Sequence, residues 1–112
     1  MELKQEDLIR FWTWVGYSYR YSSWHEPNDF RLAGGKLSLP EITLDSLYKY
    51  AIPKLQNMGL AITLIAFEES GFNARIITVV PRTLQELANE RADSPTEALY
   101  QAIMKVIDNE VK

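Results

Sequence analysis

The sequence has no cysteine and only one histidine, His25, among its 112 residues. Disulfides, thiolate metal sites and cysteine nucleophiles are therefore excluded, and zinc would need an unusual carboxylate-rich set of ligands. The dinucleotide-binding, phosphate-loop and nucleophile-elbow motifs are missing too, since Gly34, Gly35 and Lys36 lack the phosphate-loop spacing. We predict that the protein binds no metal and no cofactor.

Long apolar runs and clusters of one charge are also missing. The longest near-apolar run, residues 60–67, is too short to cross a bilayer as a helix. Residues 1–7 contain neither a basic region nor an apolar stretch, so no secretory signal is expected. The chain carries 12 basic and 15 acidic residues with no run of Lys or Arg, which argues against a nucleic-acid partner. These features predict a cytoplasmic protein with no membrane partner.

The residues that are present indicate a folded protein. Hydrophobic residues make up 46% and charged residues 24% of a chain about as long as one ordinary domain. Helical and strand periodicities alternate along it. We predict a single layered α+β domain over residues 1–112, with three helices and one mostly antiparallel sheet in the order α-β-β-α-β-β-α.

Three segments have helical spacing of apolar residues and recognisable ends. Thr43 is a predicted N-cap for the second helix, and Ser94 for the third. Pro53 cannot donate to a preceding carbonyl, so we predict a kink or break near Ile52. The predicted helices cover residues 5–15, 44–58 and 95–109.

Strand signals fall between these helices. Tyr17, Tyr19 and Tyr21 alternate with polar residues, which predicts a strand with the tyrosines on one face. Residues 24–29 are predicted to form a loop. A short hairpin is expected around Gly34 and Gly35, with its strands at residues 30–33 and 36–39.

A second hairpin is predicted from residues 60–69 and 73–80. Its first strand is apolar on both faces, which favours a central position, with Leu64 buried alongside Ile103 of the last helix. Arg75 is expected to pair with Glu68 or Glu69 at the hairpin end. Residues 83–93 fit either a short helix with a capping box at Thr83 or an edge strand at residues 89–92.

Two stretches resemble a known group of proteins. They are LPEITLDSLYKYAIPKL at residues 39–55 and ADSPTEALYQAI at residues 92–103. With the aromatic first helix, they resemble the small phage-type α-β-α sandwich proteins of bacteriophages and bacteria. The resemblance implies an α+β fold and carries no catalytic residues. The helix start in the second stretch is similar also to that of HicB-like antitoxins.

The candidate binding site lies in the aromatic segment. Seven of the 13 aromatic residues fall within residues 11–24. Some of them are core residues: we predict Trp12 to be buried and Trp24 to be partly exposed. His25 is expected to be an exposed loop histidine without a chemical role. Aromatic and arginine side chains are enriched at binding hot spots, which leads to one predicted surface. It consists of Tyr21, Trp24, His25 and Arg31.

Three classes of function remain open on the sequence. The first is a non-enzymatic phage or bacterial accessory protein, an interaction module with a protein partner. The second is a nucleic-acid-binding or antitoxin-like regulator that uses the sheet aromatics with Arg20 and Arg31. The third is a small hydrolase around His25 and Glu26. Composition favours the first.

Overall fold

The computed structural model describes residues 3–31, 34–67, 71–79 and 85–110. Its contacts divide the chain into two compact units, Met1–Glu41 and Ile42–Lys112. Both combine helices with antiparallel strands, so the predicted α+β class is confirmed; the single domain stays a prediction. No helix within the described ranges is long and apolar enough to cross a membrane.

The first unit contains one helix and a two-stranded hairpin. Its elements are α1 (Gln5–Val15), β1 (Ser18–Arg20) and β2 (Ser23–His25). On α1, Phe11, Trp12 and Val15 are buried, and the rings of Phe11 and Trp12 meet edge to face at 4.9 Å. Gly16 ends the helix with φ +128°, and the Tyr17 N–H donates to the Trp12 carbonyl. This is the glycine-ended C-cap that the sequence predicted.

The second unit begins with a helical segment that changes its hydrogen-bonding register. It consists of α2 (Leu44–Ser46), a π-helical turn (Leu47–Ala51) and α3 (Ile52–Asn57). Thr43 caps it as predicted, through reciprocal hydrogen bonds with Ser46. The Ile52 N–H donates to the Leu47 carbonyl, five residues back, immediately before Pro53, which has no N–H to donate. A kink or break was predicted near Ile52; the backbone stays helical there, and what changes is the hydrogen-bonding register.

The π-helical turn also explains which side chains are buried. Leu47 and Leu55 are eight residues apart, which in a regular α-helix would place them about 80° apart around the axis. The wider π-helical turn offsets this angular separation, and Leu47, Ala51 and Leu55 are all fully buried.

Three antiparallel strands follow in the order β3-β4-β5. They are β3 (Leu60–Phe67), β4 (Gly71–Thr78) and β5 (Glu86–Ala92). The last resolves the choice left open by the sequence, because residues 86–92 are a strand; Thr83 lies outside the described residues. Arg75 pairs with Glu86 of β5 at 2.8 Å. Glu68 and Glu69, its predicted partners, also lie outside the described residues.

The predicted central position of β3 is wrong, because β4 is the central strand and β3 lies at one edge. Leu64 is accordingly half-buried instead of buried. Helix α4 (Pro95–Glu110) contacts mainly β4 and β5, and the core of this unit lies there. Ile76 of β4 and Ile103 of α4 are both fully buried.

We expect Ser94→Ala to lower the free energy of unfolding by about 1 kcal/mol. The Ser94 hydroxyl accepts a hydrogen bond from the Glu97 N–H at 3.1 Å, and alanine removes that acceptor from the first turn of α4. Urea unfolding followed by circular dichroism measures the change. Ser94→Thr, which keeps the acceptor, is the matched control and should lose less stability.

Candidate functional site

The β1–β2 hairpin is closed by a two-residue loop with unusual backbone geometry. Arg20 pairs with Ser23, so Tyr21 and Ser22 are the two loop residues. Their φ values are +51° and +63°, the sign that a type I′ turn requires at both central positions. Such turns favour Asn and Gly, because other residues are strained in the left-handed region. The loop therefore holds a tyrosine where the backbone would favour a different residue.

This geometry changes the predicted row of tyrosines. Only Tyr19 lies within β1; Tyr17 precedes the strand and is buried, and Tyr21 is in the loop with 70% of its surface exposed. The three rings do not share one strand face, because the strand is three residues long. Tyr21 is exposed at the turn, as a candidate contact residue should be.

Trp24 is half-buried, and the predicted contrast with the fully buried Trp12 is confirmed. It lies in β2 and not in a loop, opposite Tyr19, and the two ring centroids are 5.1 Å apart. The backbone of Trp24 also exchanges two hydrogen bonds of 2.8 Å with Lys36. This single bridge replaces the hairpin predicted around Gly34 and Gly35; Leu32 and Ala33 of that hairpin lie outside the described residues.

The prediction that His25 is exposed is wrong, because its side chain has no exposed surface. Nδ1 of the imidazole lies 3.4 Å from Oδ2 of Asp29, and Nε2 lies 3.2 Å from Oγ of Ser23. A carboxylate only accepts, so Nδ1–H donates to Asp29, and Nε2 lies within hydrogen-bond distance of the Ser23 hydroxyl. His25 supports the site from beneath and does not reach its surface.

Asp29 connects this buried histidine to the exposed Arg31. The Arg31 guanidinium donates to both carboxylate oxygens, at 2.9 and 3.0 Å, and the Arg31 N–H donates at 3.1 Å. These hydrogen bonds, chiefly those of the Arg31 side chain, hold the pKa of Asp29 well below its usual range. The pair with Asp29 also raises the pKa of Arg31. Arg20 binds the same residue by donating to the Asp29 carbonyl. The four residues Ser23, His25, Asp29 and Arg31 are called the Asp29 network below.

Charges near the hairpin are paired. Besides the Asp29 network, Lys36 lies 3.3 Å from Glu26, and Arg10 lies 3.8 Å from Asp7. Arg10, Arg31 and Lys36 thus each lie beside a carboxylate of the same unit, and Arg20 donates to the Asp29 carbonyl. Exposed aromatic and apolar groups, more than positive charge, therefore distinguish this surface.

The contacts run from Ser23 to His25 to Asp29, which is the arrangement of a serine-hydrolase triad. A Cβ at Gly35 would clash with the Ser23 Oγ, so the Gly35 backbone lies close to this hydroxyl. That hydroxyl also lies 3.4 Å from the Arg20 carbonyl, a second acceptor for its proton. The His25 imidazole has no exposed surface and Ser23 is half-buried beside Gly35, an arrangement that favours a structural role for these contacts.

Sequence reasoning placed Tyr21, Trp24, His25 and Arg31 together. The Asp29 network joins His25 to Arg31, while Tyr21 and Trp24 belong to the hairpin beside it. Ser23 was missed, although a Ser-x-His spacing on a strand puts both side chains on one face.

Four large apolar side chains of this unit expose 60% or more of their surface, and no sequence pattern had indicated the exposure of Phe30 and Leu37. They are Tyr19, Tyr21, Phe30 and Leu37.

The described residues of the second unit offer no comparable chemistry. An open cavity of about 290 Å³ is lined by four apolar residues and one amide. Those residues are Met58, Leu60, Leu87, Val106 and Asn109. Over the described ranges, no three His, Asp or Glu residues cluster in a way that could hold a metal. The candidate site is therefore the hairpin of the first unit.

Comparisons with known proteins identify no family for this chain. No family model matches the sequence, and neither a curated protein nor a solved structure matches it. The resemblance to the phage-type proteins stays a prediction. The function of the protein is therefore inferred from the geometry of the hairpin.

Proposed function

We propose that the protein is a non-enzymatic interaction module that binds a protein partner through the tip of the β1–β2 hairpin. Tyr21 is the central contact residue, and Tyr19 and Trp24 extend the surface along the strands. We also propose a cytoplasmic location and an accessory role of the kind that phages and bacteria encode, which the resemblance of residues 39–55 and 92–103 supports.

The observation that carries this proposal is the conformation of Tyr21. A non-glycine residue in the left-handed region costs about 1–2 kcal/mol, and Tyr21 and Ser22 both adopt it. Tyr21 is 70% exposed, so burial of its ring does not compensate for that cost. The turn needs this backbone conformation but not a tyrosine in it, and a strained residue that the fold does not need is typical of functional positions. A ring that contributes to binding gives a reason for tyrosine at this position.

The surroundings of Tyr21 suit a rigid contact surface. The Tyr19 and Trp24 rings pack together, and the Asp29 network fixes the segment that follows β2. A preorganised surface loses little conformational entropy on binding. Tyrosine, tryptophan and arginine, which lie together here, are the residues most enriched at hot spots.

The same surroundings argue against the other two classes. A nucleic-acid surface needs uncompensated cations; of the two arginines predicted for it, Arg31 pairs with the Asp29 carboxylate and Arg20 donates to the Asp29 carbonyl. A hydrolase around His25 needs an accessible imidazole, whereas the His25 side chain has no exposed surface. A protein partner needs neither.

We expect Tyr21→Asn to weaken partner binding by at least about 2 kcal/mol, roughly 30-fold in Kd, while stability stays equal or rises by up to about 1 kcal/mol. Asparagine tolerates the left-handed conformation but lacks the ring. In-cell photo-crosslinking from position 21 identifies the partner, and calorimetry with the purified partner gives Kd. Stability is read from tryptophan fluorescence, because Trp12, Trp14 and Trp24 all lie in the first unit.

Tyr48→Ala is the matched control, since Tyr48 is an exposed tyrosine of the second unit. It should leave the affinity unchanged. A partner that binds wild type and Tyr21→Asn equally would contradict the proposal. So would a crosslinked product that consists of nucleic acid, which would favour the regulator class.

A further inference from the structure

Strand β3 is an edge strand without the usual protection against pairing. Its eight residues, LAITLIAF, include no charge and no proline. In the sheet order it pairs with β4 alone among the described strands. Edge strands normally carry charges, prolines or bulges that block another strand. The opposite edge, β5, has such charges at Glu86, Glu90 and Arg91.

The hydrogen-bond pattern shows which backbone groups of β3 point away from the sheet. The Val79 N–H donates to the Gly59 carbonyl, and Thr78 donates away from β3, to Gln85. Antiparallel ladders alternate, so every second residue of β3 directs its N–H and carbonyl outward. These residues are Leu60, Ile62, Leu64 and Ala66.

The side chains of β3 are incompletely covered in the same region. Ile62 and Leu64 share the α4 side of the sheet but are only half-buried, because α4 contacts mainly β4 and β5. On the other side, Thr63 is exposed and 39% of the Ile65 surface is accessible. A strand added at this edge would satisfy the outward backbone groups and cover Ile62 and Leu64.

We propose that a second copy of this chain pairs with β3 in antiparallel orientation, forming a six-stranded sheet across a two-fold axis at Thr63. In this register Ile62 lies opposite Leu64 of the other copy, and Leu60 opposite Ala66. All four residues direct their backbone groups outward, so both chains are satisfied by the same contacts.

The composition of β3 is the reason for choosing a second copy as the occupant. An uncharged strand brings no like charges together when it pairs with itself, and it offers no charge for an oppositely charged partner to recognise. The self-pairing sets apolar residues opposite apolar residues on the half-buried side and Thr63 opposite Thr63 on the exposed side. The surface is in the second unit and is independent of the proposed contact at Tyr21.

The axis at Thr63 can be tested directly, because the chain has no cysteine. Thr63 would form a non-hydrogen-bonded pair with its copy, at about 4.5 Å between Cα atoms, a separation compatible with a disulfide. We expect oxidised Thr63→Cys to form a covalent dimer. The matched control Ala61→Cys, on the same side of the strand, should not, since the register keeps the two Ala61 positions far apart.

Sedimentation of the unmodified chain and of Thr63→Lys gives the second test. Wild type should be a dimer, and Thr63→Lys should raise the dimer Kd at least about tenfold, because two lysines would face each other. Thr13→Lys makes the same change on an exposed position of α1 and should leave the dimer intact. A wild-type monomer up to about 1 mM, a dimer unaffected by Thr63→Lys, or equal crosslinking of both cysteine variants would overturn the proposal. If Thr63→Lys fails to fold, the cysteine pair decides.

Discussion

Ile103→Ala is expected to lower the free energy of unfolding of the second unit by about 2–5 kcal/mol. The side chain is fully buried on α4, which contacts β4 and β5. Truncation removes apolar contacts and leaves a cavity that the surrounding strands can fill only in part. Urea unfolding followed by circular dichroism at 222 nm measures the loss.

Leu64→Ala is the informative control for Ile103→Ala. Both residues were expected to be buried, but Leu64 is half-buried on the edge strand. Its truncation should therefore cost less, below about 2 kcal/mol. Both variants are compared in the Thr63→Lys background, where association does not add to stability. Equal losses at Leu64 and Ile103 would contradict the assignment of β3 as the edge.

Asp29→Asn is expected to destabilise the first unit at neutral pH and to reduce its sensitivity to acid. The folded pKa of Asp29 lies below its ordinary value, chiefly because of the hydrogen bonds from Arg31. A depressed carboxyl pKa adds stability that is complete above the unfolded pKa, about 3.9, and is lost as the pH falls toward the folded pKa. Wild type should therefore weaken progressively below about pH 5. The asparagine variant, which cannot titrate there, should weaken less.

Tryptophan fluorescence in urea at about pH 7 and about pH 3 measures this difference in the first unit. Arg31→Gln removes the same ion pair from the other side. The double variant should therefore lose less stability than the sum of the losses in the two single variants. Unchanged acid sensitivity in Asp29→Asn, or strict additivity of the two substitutions, would show that Asp29 and Arg31 are not coupled.

Signals that are local in sequence gave correct predictions. The caps at Thr43 and Ser94 use contacts within three residues, and both are present. The end of α1 at Gly16 and the register change before Pro53 likewise depend on the chemistry of one residue. In these cases the sequence contains both partners of the interaction within one or two helical turns.

The errors arose where strand order or loop conformation decides the outcome. Apolar residues on both faces of β3 were read as a central position, yet strand order depends on how β5 pairs with β4, some 16 residues away along the chain. His25 was expected to be exposed because it follows Trp24 and precedes Glu26 and Pro27. Its side chain is instead fully buried and hydrogen-bonded to Asp29, a contact that depends on the turn between the two residues and that no periodicity indicates.

The π-helical turn at Leu47–Ala51 has a consequence for chain length. A helix with such a turn holds one residue more than a regular α-helix that joins the same two ends. Loss of one residue among positions 48–50 would place Leu47 seven residues before Leu55, the ordinary spacing for one face of an α-helix. We therefore expect a single-residue deletion here to keep both leucines buried and to leave the length of every loop unchanged.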